Sequence, residues 1–105
     1  MTRLAIASLG VLLMTPGSGW AQGEELYQKN KCSLCHSVGG KGNAKGPLEG
    51  VGSKYSAAEL KLWITSPAEM AKKHNATRKP PMKSFASLPA ADVDALVAYL
   101  QTLKK

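Results

Sequence analysis

Cys32-Ser33-Leu34-Cys35-His36 constrains this chain more than any other stretch, for it gathers both cysteines and one of the two histidines into five consecutive residues. The spacing is C-x-x-C-H. Two thiols three residues apart on one helical turn can each bond a vinyl group of a porphyrin as a thioether, and the next residue then offers an imidazole to the iron. Three other chemistries use similar residues. A dithiol redox pair uses C-x-x-C, but in a βαβ setting that this sequence lacks. A structural zinc site needs four protein ligands, and Cys32, Cys35, His36 and His74 would supply them only with awkward geometry. A plain disulfide leaves His36 and the glycine-rich stretch behind it unexplained. The motif therefore points to one haem c, attached covalently through Cys32 and Cys35, with His36 as an iron ligand.

Residues 1–21 read as a secretory leader. Arg3 supplies a positive start, residues 4–14 are largely apolar, and Gly19 and Ala21 are the small residues a cleavage site needs. A membrane-spanning helix takes about 20 apolar residues, whereas Pro16 and Gly17 break this run early. No cysteine follows it directly for a lipid anchor. Cleavage after Ala21 would leave residues 22–105 as one exported, periplasmic domain without a membrane span. Of those 84 residues only 21 are Leu, Ile, Val, Met, Phe, Trp or Tyr, and so small a core normally needs a staple or a bound cofactor. Without Arg3, 13 basic residues stand against 7 acidic ones, a formal charge of +6. That sign suits an acidic protein partner. Export, and the absence of a basic-aromatic motif, argue against nucleic acid.

The pattern along the domain is all-α. Residues 24–31 fit a short helix whose acidic start suits the helix dipole. Residues 38–52 hold six glycines and read as a loop wrapped closely round something. Ser56-Ala57-Ala58-Glu59 fits a capping box opening a helix with Leu60, Trp63 and Ile64. Ser66-Pro67-Ala68-Glu69 repeats the signature and opens another. Residues 75–88, with Pro80-Pro81, read as an extended loop. From Ala90 onward, Val93, Leu96, Val97, Leu100 and Leu103 form one helical stripe, with Lys104 and Lys105 placed to suit the helix C-terminus. No segment reads as a strand.

A second axial ligand would come from Met82, Met70 or His74. Met70 lies in a helical stretch, where methionine is more often a core filler. Met82 follows two prolines whose fixed φ values stiffen the backbone, so presenting it loses less entropy. Met82 is the preferred ligand.

Leu26-Tyr27 ahead of the C-x-x-C-H motif, Gly46-Pro47-Leu48 behind it, Trp63 in the middle helix, and Pro81-Met82 before a last helix with Tyr99-Leu100 occur in an order that resembles the small class I cytochromes c of bacteria. The resemblance covers nearly all of residues 22–105. It implies the cytochrome c fold, with four to five short helices and long loops around the haem, and first and last helices that cross. It also implies that the Pro47 carbonyl accepts a hydrogen bond from His36, that Pro47 and Trp63 contact the cofactor, and that Met82 ligates iron. Pro89 stands where a capping serine or threonine would be ordinary. Iron held by both His36 and Met82 has no open position, which suits a monomeric carrier of single electrons rather than an enzyme. A subunit docked in a larger oxidoreductase complex, and a haem sensor or enzyme with a displaceable sixth ligand, are the alternatives. Lys72, Lys73, Arg78, Lys79 and Lys83 crowd around Met82, and Lys31, Lys41 and Lys45 flank the haem motif. A basic rim for redox partners with acidic docking surfaces is expected there, with Lys104 and Lys105 lying away from it.

Overall fold

The computed structural model describes residues 19–105; residues 1–18, and with them most of the expected leader, lie outside the described residues. Among the described residues five α-helices follow one another: α1 Gly19–Lys29, α2 Val51–Lys54, α3 Ala57–Thr65, α4 Pro67–Lys73 and α5 Ala90–Gln101. None of them is long and apolar enough to cross a membrane. A 3₁₀ turn, Cys32–Leu34, carries the cysteine motif, and two short strands, β1 Ser37–Val38 and β2 Lys41–Gly42, come next.

Crossing of α1 and α5 frames the domain, and Gly23 permits it. A Cβ at Gly23 would collide with the Ala95 carbonyl oxygen and stand 2.6 Å from the Tyr99 Cβ, so only glycine lets the two backbones meet. Four residues on, Tyr27 packs against Tyr99 with ring centroids 5.7 Å apart. Leu60 and Ile64 of α3 close the core against Val93, Leu96 and Val97 of α5. Helix α1 begins five residues earlier than Glu24, so Glu24 and Glu25 sit in mid-helix and its first turn carries no acidic residue. The dipole reading of these two residues applies to a helix that begins near Gln22, as the expected cleavage would leave it, and not to the helix described from Gly19. At the other end α5 stops at Gln101, without a basic residue in its last turn, and Lys104 and Lys105 lie beyond it.

The capping box forms as the sequence implies. Glu59 N–H donates to Ser56 Oγ at 3.1 Å and Ser56 N–H donates to Glu59 Oε1 at 2.9 Å. Pro67 opens α4 at its first turn, where a missing N–H loses no helical bond. Pro89 is the N-cap of α5 and caps nothing with its side chain, yet the helix starts at Ala90 because its apolar face is buried.

The expectation of no strand is corrected at residues 37–42. Gly39 and Gly40 have φ of 60° and 81°, the paired positive values of a two-residue hairpin turn. Ser37 pairs with Gly42 and Val38 with Lys41. The hairpin turns the chain back so that residues 46–48 return alongside Ser37.

Candidate cofactor site

Between the crossed helices and the loops lies an apolar cavity of about 650 Å³, within the range of about 300–1,000 Å³ usual for small-molecule and cofactor sites. Every helix except α4 contributes to its wall, as do the cysteine turn and the 75–88 loop. Cys32, His36, Pro47, Trp63 and Met82 all line it. These are five of the six residues singled out from the sequence. Cys35 is not on the wall; it is half-buried at the end of the 3₁₀ turn, where its N–H donates to the Cys32 carbonyl at 3.1 Å. Residues i and i+3 of a 3₁₀ turn lie one above the other, so Cys32 and Cys35 share a face. Both are free thiols. Burial pushes the Cys32 thiol up, with the nearby Lys83 ammonium acting the other way.

His36 is oriented by the returning chain. Its Nδ1 lies 3.1 Å from the Gly46 carbonyl oxygen. A carbonyl only accepts, so Nδ1 carries the proton and Nε2 keeps its lone pair for a metal. Burial lowers the imidazole from its ordinary value, the Gly46 bond works against that, and the charge of Arg78 adds to the lowering. The acceptor is Gly46 and not Pro47, which corrects the expectation drawn from the family resemblance. Gly46 O also takes the Ser37 N–H at 3.0 Å, and Leu48 N–H donates to Ser37 O at 2.9 Å. That parallel bridge fixes residue 46 with its carbonyl toward the imidazole.

The three possible second ligands separate. Met82 alone of them lines the cavity. Met70 is 4% exposed, buried under α4, and His74 is exposed, stacked on Trp63. The Met82 loop is tied to the end of α3: Phe85 N–H donates to Ile64 O at 2.9 Å and Ser84 Oγ to Thr65 O at 2.8 Å. Zinc finds no support, since no group of three or more His, Cys, Asp or Glu side chains among the described residues is placed to hold a metal ion.

Two buried donors of the cavity residues, Trp63 Nε1 and Tyr27 OH, have no hydrogen-bond partner. Burial drives the Tyr27 phenol up to about 12, so it stays a donor. Buried donors of this kind are rarely left unpaired, and here they belong to a wall that is otherwise mostly apolar. A flat apolar ring system with carboxylates at its edge fits such a wall, and haem c is such a group. Lys54 and Lys105 also line the cavity. Lys105 reaches it because its side chain lies over Gly50, contrary to the expectation that the chain's last lysines stand away from the site; the composition and order of residues gave no sign of this return.

Paired thiols on one face, next to a neutral imidazole with a free Nε2, are the attachment chemistry of a c-type cytochrome. The sequence model of the Cytochrome c family matches residues 20–104, and the chain belongs to that family. It is also 33% identical over 92 residues to cytochrome c oxidase subunit 2 of Alkalihalophilus pseudofirmus, a match covering 79% of this chain and 25% of the relative. The chain thus spans about a quarter of that relative's length. No solved structure matches it.

Proposed function

We propose that this protein is a soluble, periplasmic carrier of single electrons between redox partners, working through one haem c held by Cys32 and Cys35. One observation carries the reading: Cys32 and His36 of the cysteine motif and Met82 of the 75–88 loop meet on the wall of one apolar cavity. When bound, haem c supplies an iron centre that takes up and returns one electron. His36, through Nε2, and Met82, through its thioether sulfur, would hold its iron. Methionine sulfur favours the ferrous state and so raises the potential. The apolar wall excludes water, and the 75–88 loop, tied to α3, holds Met82 in place in both oxidation states. Little then has to rearrange when an electron moves.

The oxidase-subunit relative favours a second reading, in which the same domain stays docked in an oxidoreductase complex. An optical spectrum of the protein purified from the periplasm, oxidised and reduced, tests the carrier reading. Low-spin haem that resists acid extraction, with a weak far-red methionine–iron band, is expected in a monomeric fraction. A high-spin ferric spectrum would sink the closed coordination. Recovery only within a larger complex would favour the docked subunit.

A further inference from the structure

His74 belongs to a ring system with one wet end and one end at the cavity. Its imidazole stacks on Trp63, centroids 5.6 Å apart and planes inclined by 29°. It also meets Tyr55 edge-on at 5.7 Å, and Tyr55 meets Trp63 in turn at 5.9 Å. Tyr55 and Trp63 line the cavity, whereas His74 does not and faces solvent. Trp63, a cavity-wall residue whose indole N–H is buried without a partner, is thus backed by a titratable ring.

Charged groups lie near this ring system on each neighbouring element. Glu59 of α3 has a carboxyl held low chiefly by its backbone and side-chain bonds to Ser56, with the charges of Lys73 and His74 adding to the effect. Lys73 belongs to α4, which His74 terminates. From α2, the Lys54 ammonium lies 5.3 Å from the Tyr55 ring centroid.

Resting on the reading of this chain as a haem c electron carrier, we propose that His74 is a positioning residue acting through Trp63, whose stack holds the indole toward the cavity and whose charge makes the reduction potential depend on pH. Imidazole is the side chain that changes charge between about pH 5 and 8. As imidazolium it lies on an aromatic face that attracts cations and places a positive charge directly behind the cavity wall. Positive charge there favours the reduced state, which carries one more electron. The potential is therefore higher when His74 is protonated and falls as pH rises through its titration. Reciprocally, reduction raises the proton affinity of His74. Each electron taken up draws a fraction of a proton from solvent, and oxidation returns it.

The test uses the holoprotein, with potentials measured from pH 5 to 8 for wild type, His74→Phe and His74→Gln. Phenylalanine keeps a stacked ring without charge; glutamine removes both. Carboxylates of the cofactor can titrate in all three, so the difference between wild type and His74→Phe is the reading. The wild-type potential is expected to fall more steeply, and His74 to titrate by NMR about 0.3 pH unit higher in the reduced protein, a twofold change in proton affinity. His74→Gln should also shift the indole Nε1–H resonance of Trp63, with His74→Phe restoring it. Parallel potential curves for wild type and His74→Phe, or one titration midpoint in both oxidation states, would overturn the proposal. If the far-red methionine–iron band is intact in that case, the carrier reading survives and only the role of His74 falls.

Discussion

The Nδ1–H of His36 and the carbonyl of Gly46 meet at 3.1 Å, and this bond joins the haem motif to the far arm of the hairpin ten residues on. The backbone carbonyl leaves Nε2 the only basic nitrogen of the ring. It also raises the basicity of that nitrogen toward a metal. Gly46 is where the chain can come this close, because a Cβ there would collide with the Cys35 carbonyl and the Arg78 guanidinium and stand 3.0 Å from Nδ1 itself.

Gly46→Ala is accordingly expected to destabilise the holoprotein by about 1–3 kcal/mol, the usual range for overpacking. By loosening the His36 bond it should also make the imidazole a weaker donor to ferric iron and raise the potential. Pro47→Ala leaves the Gly46 carbonyl in place and should do neither to the same extent. Thermal unfolding and potentiometry on both variants check this; a larger effect at Pro47 would show that the acceptor is misassigned.

Removing either attachment point should separate fold from cofactor. Cys32→Ala or Cys35→Ala should sharply reduce the holoprotein recovered. The double variant should lack stable tertiary structure, because Tyr27, Leu60, Ile64 and Leu96 all face the cavity as well as one another. Circular dichroism with a thermal scan is the measurement, and a cooperative melt of a haem-free double variant would rule the dependence out.

The two methionines should fail in different ways. Met82→Ala is expected to abolish the far-red band, lower the potential and turn the iron high-spin or let water or lysine bind. Met70→Ala opens a cavity under α4 and should cost about 2–5 kcal/mol in stability while leaving the band unchanged. Should the band disappear only in the Met70 variant, the ligand assignment would be reversed.

Glu59 gives a signed pH effect. Its folded carboxyl is held below the ordinary value by the bonds to Ser56. The contribution is therefore fully present above the unfolded carboxylate value, about pH 4.3, and is lost as pH falls through the folded one. Glu59→Gln should lower stability at pH 7 and converge with wild type in acid. Denaturant melts at pH 7 and near pH 3 compare the two, and an equal gap at both would exclude the ionised capping box as its source.

Where local chemistry decides a feature, the sequence shows it. The C-x-x-C-H spacing, the Ser56–Glu59 box, Pro67 and the Val93-Leu96-Val97 stripe each need only their near neighbours, and each predicts its element. Three features differ from the sequence reading, two of them because they depend on distant chain. Gly39-Gly40 is a hairpin signal in itself, but so many glycines surround it that the turn is hidden in a loop. The choice of Gly46 over Pro47 follows from a parallel bridge formed by one residue, Ser37. Lys105 reaches the cavity only because residues 50–52 pair with the end of the chain, Gly50 and Gly52 N–H both donating to Leu103 O at 2.9 Å.

That return of Lys105 changes which lysines can test the proposed docking rim. Lys83 lies near Cys32, close enough for its charge to act on the thiol, and its ammonium stands 5.1 Å from the centroid of Phe85 on the cavity wall. Leu34, in the middle of the haem motif, is 69% exposed. An acidic partner would be steered by that charge and gain more in association rate than in affinity. The effect should fade as salt shortens the screening length to about 10 Å at 0.1 M. Lys29 serves as the control, because it lines a separate groove between α1 and α5 that shares no residue with the cavity. Lys79→Glu with Lys83→Glu should slow reduction by an acidic redox partner about tenfold or more at low ionic strength, as charge steering allows, and the gap should close as salt is raised. Lys29→Glu should leave the rate nearly unchanged. Stopped-flow reduction across ionic strength measures all three proteins. Equal slowing per charge reversed at either place would reduce the effect to net charge and remove the rim.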